Sequence, residues 1–196
     1  MITLRGVTKR FGDEVVLEGL DLDLVEGGVT ALMGANGSGK TTLARLLLGL
    51  AVPDGGVIRG LEGRRRAAVF QEDRLCEQLT AVGNVRLVLS RATRATAVVE
   101  ELARVGLDEE SLVKPVSELS GGQRRRVAIV RALMADAGLI VLDEPFKGLD
   151  TQAKTLVMSY VRERCDHRTT LLITHDAAEA DWFGVHPIEL TRHREA

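Results

Sequence analysis

The 196-residue sequence predicts an α/β fold opened by antiparallel strands and interrupted by a helical lobe. Three observations lead there. Short apolar runs at residues 29–33, 67–70, 139–142 and 170–174 each end in polar residues, as buried strands of an open sheet do. A glycine-rich stretch joins the first run to a strong helix former. Between the second and third runs, from about residue 75 to 137, the apolar spacing becomes helical.

The glycine-rich stretch reads Gly34-Ala35-Asn36-Gly37-Ser38-Gly39-Lys40-Thr41-Thr42 and matches G-x-x-x-x-G-K-[ST], a loop that wraps nucleotide phosphates. Glycines let backbone N–H groups converge on phosphate oxygens with no Cβ in the way. Lys40 suits the β- and γ-phosphates, and the Thr41 hydroxyl suits Mg²⁺. The flanks agree. Val29-Thr30-Ala31-Leu32-Met33 is a short strand bounded by Gly27-Gly28, and the run after Thr42 forms a helix whose N-terminus would meet the phosphates. The bland alternative is a turn that binds nothing. At roughly 7% glycine the four fixed positions match by chance on the order of 1% of the time in a chain this long.

Taken in order, residues 1–28 read as antiparallel strands. Gly19-Leu20-Asp21-Leu22-Asp23-Leu24 alternates as a strand with one wet face should. Lys9-Arg10-Phe11-Gly12-Asp13 reads as a turn that sets Phe11 at an exposed tip. Phe11 either folds back on the core or offers its face to an adenine ring. Pro53-Asp54-Gly55-Gly56 is a turn before a short strand at 57–59. The run at 67–70 ends in Gln71-Glu72-Asp73, at a strand's carboxyl end, where open α/β sheets hold ligands.

The helical lobe contains a segment at 93–106 that stops at Gly106, then a break at Pro115. Ser120 is an N-cap candidate for a helix running through Gly121-Gly122-Gln123 to Met134. The strand at 139–142 ends in Asp143-Glu144-Pro145, and an unpaired charge buried there is costly. A helix follows from about residue 151 to 165. The strand at 170–174 then ends in His175-Asp176, a short helix covers 177–182, and an edge strand lies near 188–190. The whole chain reads as one domain, 1–196.

Composition excludes several classes. Hydrophobic content of 45%, charged content of 28% and a net charge of -2 describe a soluble globular protein with no basic footprint for nucleic acid. The runs Arg64-Arg65-Arg66 and Arg124-Arg125-Arg126 read as solvated faces or ion-pair partners. Cys76 and Cys165 show no metal spacing and suggest no disulfide. No apolar run approaches the ~18 residues of a membrane helix, and residues 1–5 carry no secretory signal pattern.

Lys40-Thr41, Gln71, Asp143-Glu144 and His175 thus follow four different strands. Hydrolysis of a phosphoanhydride needs charge neutralisation, Mg²⁺ and a group that orients or deprotonates water. Asp143 suits the Mg²⁺ shell, Glu144 the water, Gln71 both, and His175 the γ-phosphate. Each alone is weak, and a strand-terminal histidine is more often structural. The set in this order resembles the ATP-binding cassette (ABC) ATPases, over nearly the whole chain. Residues 34–42 match Walker A, 139–144 Walker B with its catalytic glutamate, Gln71 the Q-loop, Gly148-Leu149-Asp150 the D-loop, and His175 the switch histidine. Leu119-Ser120-Gly121-Gly122-Gln123 matches the family signature, and Phe11 falls where the family stacks an aromatic, usually tyrosine, on adenine.

The resemblance implies a P-loop NTPase core of RecA-like type with the signature on the inserted helical subdomain, about 75–137. It also implies ATP and Mg²⁺ as ligands, with catalytic roles for Glu144, His175, Gln71 and Lys40. Thr41, Gln71 and Asp143 would attend the metal. Phe11, Gly34, Asn36, Gly37, Ser38, Gly39, Lys40, Thr41, Thr42, Ser120, Gly121, Gly122, Gln123 and Asp150 would contact nucleotide. The hydroxyl and free N–H groups at the start of the signature helix would meet the ATP of a second cassette in a head-to-tail dimer.

The segments 69–75 and 79–85 resemble importer cassettes of the nitrate/sulfonate/taurine type. That predicts a peripheral protein on the cytoplasmic face of the membrane, with Leu75, Leu79 and Val82 either in a groove for a permease subunit or in the lobe's own core. Phe146-Lys147 departs from that type, at a place expected to be away from the chemistry. The alternative is a soluble cassette such as an iron–sulfur assembly ATPase.

Overall fold

The computed structural model describes residues 1–191. The chain packs into two compact units: residues 1–68 with 137–143 and the segment from 165 onward, and residues 69–136 with 144–164.

The first unit opens with two long antiparallel strands, β1 (Ile2–Phe11) and β2 (Glu14–Leu24), and β4 (Gly55–Arg59) pairs with the other edge of β1. The hairpin turn is the two residues Gly12 and Asp13, so residues 9–11 are strand rather than turn, as the pairs Arg10 with Val15 and Phe11 with Glu14 require. Alternation in β2 resolves as expected: Leu22 and Leu24 are buried while Asp21 and Asp23 face solvent.

A second, five-stranded sheet has the order β5-β6-β7-β3-β8. Its members are β3 (Val29–Met33), β5 (Arg66–Val69), β6 (Leu139–Asp143), β7 (Thr169–Ile173) and β8 (Ile188–Glu189). β7 runs parallel to both β6 and β3, and β8 runs parallel to β3. All five residues of β6 and of β7 are buried, as expected for strands covered on both faces. Helix α1 (Lys40–Leu48) puts Leu43, Leu46 and Leu47 into a shared core with Ile2 and Leu4 of β1, Leu32, Leu139 and Leu171. The core is aliphatic, in keeping with 3% aromatic content.

The second unit is helical: α2 (Ala81–Arg86), α3 (Ala95–Arg104), α4 (Glu109–Val113), α5 (Gly121–Met134) and α6 (Thr151–Arg164). Val98 and Leu102 of α3 and Val127, Ile129 and Val130 of α5 are buried. Asn84 is fully buried because its amide staples the approach to α2, accepting from the Cys76 N–H and donating to the carbonyls of Cys76, Leu79 and Thr80. The last helix, α7 (Ala177–Trp182), belongs to the first unit. Among the described residues no helix is long and apolar enough to cross a membrane.

Candidate nucleotide site

The glycine-rich loop hangs between β3 and α1. Gly34 takes φ 149° and Gly39 φ 96°. A Cβ at Gly34 would lie 2.4 Å from the Leu190 carbonyl oxygen, and one at Gly39 would lie 2.6 Å from Leu17 Cδ2. Conformation and space both demand glycine at these two points. Helix α1 starts without a side-chain cap, so its first N–H groups have no intrahelical acceptor and carry the positive end of the helix dipole toward the loop. Ser38 is 1% exposed, and its Oγ has no hydrogen-bond partner among the described residues.

The Lys40 ammonium turns back onto the loop and donates to the carbonyls of Gly34 at 2.6 Å and Ala35 at 2.9 Å. A carbonyl offers the ammonium a dipole where a phosphate offers a full opposite charge, so a phosphate competes well for a lysine held by carbonyls. Uncapped N–H groups, an orphaned buried hydroxyl and an ammonium held only by loop carbonyls together fit a polyphosphate.

Beside the loop, Thr41 Oγ1 donates to Asp143 Oδ2 at 3.3 Å. Asp143 ends β6 and is 5% exposed. The strand order makes this contact: β3 feeds the loop, β7 lies beside it, and β6 is next. A hydroxyl and a carboxylate are hard oxygen donors of the kind Mg²⁺ takes, and with about six ligands to fill, the rest of the shell falls to phosphates and water.

His175 comes two residues after β7, beyond Thr174, and is exposed. Its neighbours hold it in place: the buried Thr174 hydroxyl donates to Glu179 Oε2 at 2.5 Å and accepts from the Asp176 N–H, while Asp176 caps α7. Phe11 ends β1, 49% exposed, with the Lys9 ammonium 5.4 Å from its ring centre. The ring does not fold into the core.

Within the first unit, then, the loop residues 34–42, Asp143 and His175 sit at the ends of three adjacent strands. Phe11 also belongs to the first unit, and the remaining expected site residues lie in the second. Gln71 follows β5, and Glu144 follows Asp143 in sequence. Glu144 has a left-handed backbone, φ 47°, a conformation that costs about 1–3 kcal/mol in a non-glycine residue and clusters at functional positions. Its carboxylate pairs with Lys147 Nζ at 3.3 Å, so the unusual residue 147 does touch a group of the expected chemistry. The reach of an i,i+3 lysine was the missing consideration.

Ser120 caps α5 as expected, in a full capping box. Its Oγ accepts from the Gln123 N–H, and Gln123 Oε1 accepts from the Ser120 N–H at 2.8 Å. The Ser120 N–H is therefore not free. The donors left without intrahelical acceptors are those of Gly121 and Gly122, the first two residues of the helix. Asp150 caps α6 through the Ala153 N–H.

Of the two readings of the arginine run at 124–126, ion pairing holds for Arg125, and a fully solvated face does not. Arg124 donates to the Leu119 carbonyl, Arg126 to those of Gly122, Val105 and Gly106, and Arg125 is 4% exposed in an ion pair with Asp73. Composition alone hides this, since a buried arginine and a wet one are spelled alike.

A phosphate loop at a helix start, with a strand-terminal carboxylate on its threonine, is the arrangement of a P-loop nucleotide-binding protein. The sequence pattern of the ABC transporter family matches residues 17–147, and the chain belongs to that family. It is 42% identical over 181 residues to an aliphatic sulfonates import ATP-binding protein, SsuB 3, of Paraburkholderia xenovorans (strain LB400), covering 91% of this chain and 72% of that protein. It is 38% identical over 196 residues to an Fe(3+) ions import ATP-binding protein, FbpC, of Mesorhizobium japonicum, covering 91% and 54%. The dimeric structure of MJ0796, described as a bacterial ABC transporter cassette, superposes with a TM-score of 0.86 at 30% identity, covering 97% of this chain and 94% of that one. A post-hydrolysis dimer of MJ0796 bound to ADP and Pi also gives 0.86, at 29% identity, covering 100% and 98%. The chain is thus the ATP-binding component of an ABC transporter and an Mg²⁺-dependent ATPase.

Proposed function

We propose that this chain energises import of a small solute, docked on the cytoplasmic face of a membrane permease and paired head to tail with a second cassette. The contact between Thr41 and Asp143 at the foot of the phosphate loop carries the reading, because it joins the cation ligands to the phosphate cradle. Lys40 and the first amides of α1 bind the β- and γ-phosphates, and Phe11 stacks on adenine. Thr41, Asp143 and Gln71 would hold Mg²⁺, which would neutralise phosphate charge. Glu144 takes the proton of the attacking water, and His175 contacts the γ-phosphate. Ser120, Gly121, Gly122 and Gln123 face the ATP of the partner cassette, beside its Asp150.

Import rather than iron–sulfur assembly follows the names of the relatives, which are import ATP-binding proteins. Those relatives serve solutes as different as sulfonates and Fe(3+), so selectivity resides in the permease side of such a complex. Glu144→Gln tests the catalytic assignment. ATP binding should persist while turnover falls by about 10²-fold or more, because the phosphate cradle stays and the base is lost. Turnover at the parent rate would show that Glu144 has another role.

A further inference from the structure

Arg125 lies in the first half of α5 with its guanidinium nearly sealed from water. Nη1 donates to the Phe70 carbonyl at 2.5 Å and to Asp73 Oδ1 at 3.0 Å. Nη2 donates to the Gln71 carbonyl at 3.2 Å and to the Glu144 carbonyl at 2.9 Å. Three of these acceptors belong to the short segment that carries Gln71. The fourth belongs to the residue with the left-handed backbone. Further along the same helix, Arg131 donates to the carbonyls of Asp73 and Arg74, and Arg74 has φ 47° as well.

Strained backbone persists where surrounding groups over-determine it, and here two arginines of one helix supply the donors. The arrangement needs the flat, forked shape of a guanidinium. Two nitrogens on opposite arms reach two chain segments at once, which the single nitrogen of a lysine does not do.

We propose that Arg125 is a positioning residue for hydrolysis: it fastens the backbone at Gln71 to the backbone at Glu144, so one side chain sets the aim of the base and anchors the loop that senses the γ-phosphate. The proposal rests on Glu144 being the base. Arg125 itself touches no substrate. It fixes where the peptide of Glu144 lies, and through that where the carboxylate points. A displacement of the base by about 1 Å lowers the rate by as much as about 10²-fold without weakening phosphate binding.

The test uses the full chain in steady-state hydrolysis of Mg-ATP. Arg125→Lys keeps the charge beside Asp73 and loses the two-sided reach. Its kcat should fall about tenfold or more, with KM for ATP within about threefold of the parent. Combined with Glu144→Gln, it should cost no more than about twofold beyond Glu144→Gln alone, because both changes disable the same group. Parent-like kcat in Arg125→Lys, or losses that multiply in the double variant, would overturn the proposal. If Arg125→Lys shows no cooperative melting transition, Asp73→Asn decides. It removes the counter-charge from one arm of the fork, and a fall in kcat at constant KM supports the role while an unchanged kcat overturns it. Failure of the underlying reading is separately visible. Parent-like turnover in Glu144→Gln removes the base, whereas an inactive Glu144→Gln beside a fully active Arg125→Lys removes only the role of Arg125.

Discussion

Gly34 and Gly37 stand three residues apart in one loop, yet a methyl group added at each meets different surroundings. Both have left-handed φ, 149° and 80°. A Cβ on Gly37 meets nothing within 4 Å, whereas one on Gly34 collides with the Leu190 carbonyl at 2.4 Å and with Ser38 Oγ at 2.8 Å. Gly37→Ala should cost about 1–2 kcal/mol, the usual penalty of a left-handed non-glycine residue. Gly34→Ala should cost distinctly more, since backbone must move as well. Urea unfolding of the two variants checks the ranking, and equal losses would mean that the Leu190 contact yields freely. At this scale the sequence is uneven as a guide. Lys40, Thr41 and Asp143 were legible because each stands at a fixed offset from a strand or glycine. Arg125 and Lys147 were not, because what they touch depends on chain brought in from elsewhere or on the turn after a strand.

Among the elements, strands β3, β6 and β7 were readable as unbroken apolar runs between polar or glycine boundaries, and α5 as a run with a capping serine at its start. Helices α2 and α4, of six and five residues, were not read separately from the helical stretch around them, whereas α7, as short as α2, was. The pairing of α3 with α6 was also invisible, though it concentrates charge. Tyr160 Oη donates to Glu101 Oε2 at 2.7 Å, and Arg104 and Arg164 both pair with Glu101. Burial, and then the bond to Glu101, push the Tyr160 phenol well above its ordinary value of 10.0. A raised folded-state pKa gives a contribution that is complete below the unfolded value and is lost as pH climbs past it. The protein should therefore lose stability from about pH 10 upward, and Tyr160→Phe should make that alkaline decline shallower. Tyr160 is the chain's single tyrosine, so tyrosinate absorbance reports it alone. Ionisation near its ordinary value while circular dichroism stays native would contradict the assignment.

The whole molecule has a surface to share and a site to complete. Glu144→Gln incubated with Mg-ATP should shift from monomer to dimer in light scattering, because hydrolysis no longer dissolves the sandwich. A monomer at saturating ATP would count against head-to-tail pairing. On the helical unit Leu79 and Leu87 are exposed, while Leu75 and Val82 are half-buried. Leu87→Glu should abolish recovery with a membrane subunit in detergent pull-down, at unchanged melting temperature and basal ATPase. A fall in melting temperature would assign it to the lobe's own packing. One contact reaches further than its energy. The Leu190 carbonyl that crowds Gly34 comes just after β8, whose register pairs Leu32 with Ile188 and Met33 with Glu189, and the Leu190 N–H donates to the Met33 carbonyl at 2.8 Å. A ribosome releases residues 34–42 long before it releases 188–190. During synthesis the nascent chain thus carries every glycine and the lysine of the phosphate loop while lacking the edge strand that lies against Gly34. A chain clipped ahead of residue 188 would keep the motif and lose the Leu190 backbone that closes against Gly34 and Met33.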